Sequence, residues 1–112
     1  MSEDLAVFAA ASHAGAQGRA VALCTVVGRK GSTPRGVGSR MLVDPAEGLV
    51  GTVGGGCGEA QVIDAARQVV RTGVPQMVRV DLTEDILSWS PAVCGGVFDV
   101  FVERVDPSPV PA

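Results

Sequence analysis

Residues 49–73 read LVGTVGGGCGEAQVIDAARQVVRTG, and this stretch decides the fold. Its apolar start, Leu49 to Val53, reads as a strand. Its second half, Ala60 to Thr72, reads as the clearest helix of the chain. Val62, Ile63, Ala66, Val69 and Val70 form an apolar stripe at helical spacing, with Asp64, Arg67 and Arg71 opposite. Gly73 ends the helix, and Pro75 reinforces the stop. Between strand and helix lies GTVGGGCGE, residues 51–59. A glycine turn feeding a helix start can aim several backbone N–H groups at an anion. Cys57 falls where the helix begins, and there the macrodipole favours thiolate over thiol.

Upstream, Ser2 is placed to cap a first helix that carries Glu3 and Asp4 in its first turn. Leu5, Phe8, Ala9 and Ser12 share one stripe, and Gly15 or Gly18 stops the helix. Ala20–Val27 is apolar on both faces and reads as a central strand covered on both sides. Met41–Val43 and Leu49–Val53 flank a turn-rich Asp44–Gly48 and read as a hairpin. Downstream, Met77–Leu82 alternates with Val78, Val80 and Leu82 inward, and Val97–Arg104 alternates with Phe98, Val100 and Val102 on one face. The segment between them follows no regular period. The order predicts an α/β fold: a single domain, residues 1–105, with a mixed β-sheet and flanking helices. Residues 106–112, DPSPVPA, read as a proline-rich tail.

Composition narrows the function. The chain has 112 residues, enough for one core, with 46% hydrophobic and 19% charged residues, as in a globular domain. A net charge of -3 argues against a nucleic-acid surface, which needs clustered excess Lys and Arg. No apolar stretch reaches the ~20 residues of a membrane span. The acidic N-terminus lacks the basic start of a secretory signal, so a cytoplasmic location is expected. Three cysteines without a C-x-x-C pair, and a single histidine, make neither a disulfide framework nor a structural zinc site.

Three motifs carry the chemistry. GTVGGGCGE is not the dinucleotide fingerprint, because Glu59 stands where the third glycine belongs, and no Lys-Ser/Thr follows to make a P-loop. Two readings stay open: a close backbone approach to a phosphate or oxyanion beside a Cys57 thiolate, or a tight strand-to-helix turn. Glu59 would compete with an anion at that helix start, or orient or deprotonate a neighbour. GSTPRGVGSR, residues 31–40, offers Ser32 and Thr33 hydroxyls, backbone N–H groups, Arg35 and Arg40, a set suited to phosphate or carboxylate. The same residues also read as a glycine-proline loop with solvated arginines. Cys94-Gly95-Gly96 leads into the last strand and is weak alone. Cys24, inside an apolar strand, reads as inert core. His13 reads as a cation partner at a helix C-terminus, Trp89 as core or ligand cover, and Asp81, Glu84 and Asp85 as a solvated patch. With one distant histidine, no Ser-His-Asp or Cys-His pair is credible.

Together the motifs resemble the N-terminal domain of the XdhC/CoxI family, accessory proteins that mature xanthine dehydrogenase, carbon monoxide dehydrogenase and related molybdenum hydroxylases. The resemblance runs from about Ala22 to Glu103. It rests on GSTPRGVGSRMLV at 31–43, GGGCGEA at 54–60 and CGG at 94–96. Two departures are a glycine at 58, where the family carries a larger apolar residue, and the absence of a glycine just before Cys94. Longer members add a C-terminal Rossmann domain, which this chain is expected to lack. The resemblance implies a chaperone, without turnover of its own, for the molybdenum cofactor in its molybdopterin or cytosine dinucleotide form. It implies cofactor contacts from Gly31, Ser32, Thr33, Arg35, Gly54, Gly55, Gly56, Cys57, Glu59, Cys94, Gly95 and Gly96, with Cys57 near molybdenum or sulfur. Its implied partners are a molybdenum hydroxylase apoenzyme, a cysteine desulfurase and a separate Rossmann-domain protein. A homodimer is expected from the prevalence of two-fold assemblies. Two alternatives stand beside it: a sulfur-transfer or thiol-redox protein using Cys57, and an assembly subunit that binds no cofactor.

Overall fold

A computed structural model describes residues 3–33, 35–54, 58–83 and 95–107. The elements run α1 (Glu3–Ala16), β1 (Val21–Lys30), β2 (Arg40–Asp44), β3 (Gly48–Gly51), α2 (Glu59–Thr72), β4 (Gln76–Asp81) and β5 (Val97–Val105). The strands form one five-stranded sheet in the order β3-β2-β1-β5-β4.

The expected α/β domain is present, but the sheet is antiparallel throughout rather than mixed. The reason lies in the β3–α2–β4 connection. A strand–helix–strand unit usually returns beside its first strand, giving a parallel pair. Here α2 carries the chain from one edge of the sheet to the other. β3 and β4 point the same way yet never touch, because three strands lie between them.

Antiparallel alternation brings the described ends of the glycine motifs to one end. β1 ends at Lys30, β2 begins at Arg40, β3 ends at Gly51, α2 begins at Glu59, β4 ends at Asp81 and β5 begins at Val97. These element ends all lie at this end of the sheet. The opposite end holds the α1–β1 link, the β2–β3 hairpin turn and the α2–β4 link.

Strand alternation splits the core into two layers. Ala22, Cys24 and Val26 of β1, Met41 and Val43 of β2, Val78 and Val80 of β4, and Phe98, Val100 and Val102 of β5 pack with Val62, Ala65, Ala66 and Val69 of α2. Val21 and Leu42 point the other way, against Val7 and Ala14 of α1. β1 is thus central and covered on both faces over its first half. Gly73 caps α2 by donating its N–H to the Val69 carbonyl at 2.8 Å.

α1 buries a different stripe from the one its sequence suggests. Val7 and Ala14 are fully buried, with Ala10 and Ala11 beside them, while Leu5 and Phe8 are about half exposed. The helix is apolar nearly all round, so its period does not choose a face. The choice falls to packing: small residues allow close approach to β2 and β3. The Arg40 guanidinium, held by Asp4 at 3.1 Å, covers the Phe8 ring from 5.4 Å. Ser2 lies outside the described residues.

Candidate functional site

β1 runs three residues beyond its expected end, to Lys30. A bulge between Val26 and Gly28 shifts its register against β5. The chain then leaves at Gly31 and returns alongside the bulge. Gly38 donates to the Val26 carbonyl at 2.8 Å, and Val26 donates to the Ser39 carbonyl at 2.9 Å. Gly31, Ser32 and Arg35 are exposed. Thr33 is half-buried, and its hydroxyl donates to the Arg35 carbonyl at 3.0 Å.

The loop before β5 packs directly onto this one. Gly96 is buried, and a Cβ there would lie 2.4 Å from the Ser32 carbonyl oxygen and 2.7 Å from that of Lys30. A Cβ on Gly31 would meet the Gly95 carbonyl oxygen and the Gly96 Cα, each at 3.3 Å. Gly31 and Gly95, 64 positions apart in sequence (95 minus 31), therefore lie in loops that meet backbone to backbone, most tightly at Gly96. Leu82 ties in the end of β4 by donating to the Gly96 carbonyl at 2.9 Å. Gly95 differs from its neighbour: it is exposed, and a Cβ there would meet nothing within 4 Å.

The third motif arrives from the other side of the same end. Val53 and Gly54 are buried, and the chain reaches α2 through Gly58. Gly58 has φ 71°, and a Cβ there would fall 2.3 Å from Val80 Cγ1. Both facts demand glycine. In this chain a side chain at position 58 would collide with Val80 of β4. Glu59 is half-buried and accepts a hydrogen bond from the Thr52 hydroxyl, which joins the two ends of the glycine turn. Asp81 is likewise engaged. Its carboxylate accepts from the Thr83 hydroxyl and from the backbone N–H of Thr83 at 2.9 Å, and these bonds, with the charge of Arg79, hold it below the usual carboxylate range.

The structure thus brings together Gly31, Ser32, Gly95 and Gly96 by direct contact, and places Thr33, Arg35, Gly54 and Glu59 at the same end. Gly55, Gly56, Cys57 and Cys94 lie outside the described residues, as do Trp89, Glu84 and Asp85. Cys24 is fully buried, and burial pushes its thiol up to about 12, which leaves it inert near neutrality. His13 sits in the last turn of α1 at the opposite end, 3.7 Å from Glu47. Among the described residues, no three of His, Cys, Asp and Glu are placed to hold a metal ion. No helix among them is long and apolar enough to cross a membrane. Sequence reading missed Thr52, because no spacing rule pairs residues seven apart across a glycine turn.

Residues 14–81 match the XdhC and CoxI family, more than half of the chain. The chain belongs to the XdhC and CoxI family. A Bacillus halodurans crystal structure described as a xanthine dehydrogenase shares its fold with a TM-score of 0.75 at 30% identity. That match covers 95% of this XdhC/CoxI chain and 31% of the solved one. An uncharacterized Escherichia coli (strain K12) protein, YqeB, is 30% identical over 96 residues, which cover 86% of this chain and 18% of YqeB. The chain therefore spans less than a third of each of these two relatives.

Proposed function

We propose that this domain binds the molybdenum cofactor, as molybdopterin or its cytosine dinucleotide form, and serves as an accessory protein in maturing a molybdenum hydroxylase. Family membership and the likeness to a protein described as a xanthine dehydrogenase support the accessory role. One observation carries the binding reading: the Gly31–Ser32 and Gly95–Gly96 loops meet backbone to backbone with Gly31, Ser32 and Gly95 exposed.

That surface fits an anionic group. Gly95 leaves backbone open for close approach beside the exposed Gly31, Ser32 adds a hydroxyl and Arg35 a cation. In this reading Gly31, Ser32, Arg35 and Gly95 hold the cofactor's phosphate. Gly96 and Gly54, both buried, shape the surface from beneath. Thr33 braces its own loop, and Glu59 fixes the turn ahead of α2 through Thr52. Cys57 and Cys94 supply soft sulfur near the metal. When bound, the cofactor contributes a phosphate anchor and a molybdenum centre that prefers such ligands. The domain's own work is to hold and shield it until the apoenzyme takes it over. Sulfuration through a cysteine desulfurase, a Rossmann-domain partner, a homodimer and a cytoplasmic setting belong to the same proposal.

The test is an equilibrium titration with the cofactor, followed through Trp89 fluorescence and repeated with Cys57→Ala. Saturable binding weakened in the variant supports the proposal with Cys57 at the cofactor. Binding unchanged in the variant keeps the proposal and removes Cys57 from the site. No binding to the wild type overturns it.

A further inference from the structure

α1 covers β2, β3 and the start of β1, which leaves the same face of β4 and the adjoining part of β5 open to solvent. Met77 on this face is 60% exposed. Register sets two cross-strand rows here: Lys30, Val97 and Asp81, then Gly28, Asp99 and Arg79. Between them runs an open groove of about 360 Å³, lined by Gly28, Arg29, Lys30, Arg79, Val97 and Asp99. Its volume falls in the range of small-molecule sites, roughly 300–1,000 Å³.

The charges of this groove run against those of the chain. The protein carries a net charge of -3, yet three of the six lining residues are cations and one is an acid. Arg79 uses its Nε on Asp99 at 3.1 Å and also feels the charge of Asp81, while its side chain stays largely exposed. Arg29 and Lys30 make no ion pair among the described residues. Asp81, in the same cross-strand row as Lys30, accepts from Thr83 and also interacts with the charge of Arg79. By contrast Arg19, Arg40 and Arg104 are each matched to a carboxylate. The β1 bulge places Gly28 in the groove floor, where a Cβ would meet Asp99 at 3.5 Å. The groove also continues into the glycine end: Lys30 precedes Gly31, and Val97 follows Gly96.

The geometry points to a second anion subsite here, one that takes a diphosphate. Lys30 and Arg79 supply the charge-assisted bonds from two strands, with Arg29 at the rim. A ligand held by the exposed glycine loops reaches this groove over the Lys30–Val97 pair. The diphosphate then belongs either to the distal part of that ligand or to a separate nucleotide. The subsite stands on the groove itself; only the link to a ligand on the glycine loops rests on the function proposed above.

The probe is inorganic pyrophosphate, titrated into the ¹⁵N-labelled protein at low ionic strength, with Lys30→Gln, Arg79→Gln and the control Arg67→Gln. Arg67 lies on the exposed face of α2, away from the groove. Expected are saturable shifts at Gly28, Lys30, Val97 and Asp99. Lys30→Gln and Arg79→Gln each weaken binding about tenfold, as loss of a charged hydrogen bond does, and Arg67→Gln leaves it unchanged. All three sites are exposed, and thermal melts verify that each variant folds. Absent or scattered shifts, or an Arg67→Gln loss equal to the other two, overturn the subsite. A second arm adds the molybdenum cofactor. Displacement of pyrophosphate assigns the groove to the same ligand, and simultaneous binding assigns it to a separate nucleotide. Pyrophosphate bound here with no cofactor binding leaves the subsite standing and sinks the proposed function instead.

Discussion

At one end of the sheet, polar side chains from different elements pair with each other. At the other end, loops meet through glycine backbone. The paired end joins Arg19 to Asp44 and to Glu47, and Glu47 to His13, which pins the α1–β1 link to the β2–β3 hairpin. Asp44 also accepts from the Ala46 N–H at 2.9 Å within its own turn. At the glycine end, Gly96 lies under Ser32 and the loop side-chain bonds described stay within each loop, while Arg40 at the start of β2 pairs with Asp4 of α1 beside them. The paired end spends its polar groups on closing the fold. The glycine end leaves Gly31, Ser32 and Gly95 exposed, which is where a ligand is to be sought.

The largest effect is expected where the glycine end is most tightly built. Gly96→Ala puts a methyl group 2.4 Å from one backbone oxygen and 2.7 Å from another, and neither moves without parting β1 from β5. A loss of about 3 kcal/mol in urea unfolding is expected. A loss under about 0.5 kcal/mol, the level of an ordinary surface change, would break the comparison.

Next comes Gly58→Ala, expected to cost about 2 kcal/mol from its left-handed φ and its overlap with Val80. Val80→Ala sharpens the point, because it removes the atom in the way. In the double variant the Gly58→Ala cost should fall, a coupling that a double-mutant cycle reads directly. Additive losses would mean that the contact is not what excludes a side chain at position 58.

The paired end should answer to pH instead. Burial pushes the Asp44 carboxyl up, but the hydrogen bonds and charge of Arg19, with the Ala46 and Glu47 N–H groups, outweigh it and hold the carboxyl below its usual range. A depressed folded-state pKa adds stability that is fully present above the unfolded value of about 3.9 and fades as pH falls through the folded one. Asp44→Asn should therefore lower the urea midpoint at pH 7, and its difference from the wild type should shrink below about pH 4. A difference that persists undiminished at pH 3 contradicts the pairing.

These contrasts also show what the sequence could say. The α2 stripe, the alternation in β4 and β5 and the hairpin at Asp44–Gly48 were legible, because burial on one face imposes a period. The buried face of α1 was not, because alanine and valine surround that helix and leave the period without contrast. Sheet direction was hidden too: a helix between two strands reads the same whether it returns beside the first strand or crosses to the far edge. The glycine motifs flagged the site, yet their roles divide only in three dimensions. Gly95 and Gly96 are adjacent and alike on paper, but one is open and the other is packed against two carbonyls. Thr52 and the groove cations Lys30 and Arg79 carry no motif, so only the fold brings them to this end.

That adjacent pair supplies the most direct test. Gly95→Ala should change stability by less than about 0.5 kcal/mol, since its methyl meets nothing within 4 Å. The measurement is the affinity of Gly95→Ala for the molybdenum cofactor, beside the wild type and at equal thermal stability. The account predicts wild-type binding that weakens clearly in the variant, with spectral changes at Gly31, Ser32 and Gly95. Unchanged affinity, or changes confined to the Arg19–Asp44 end, would contradict it.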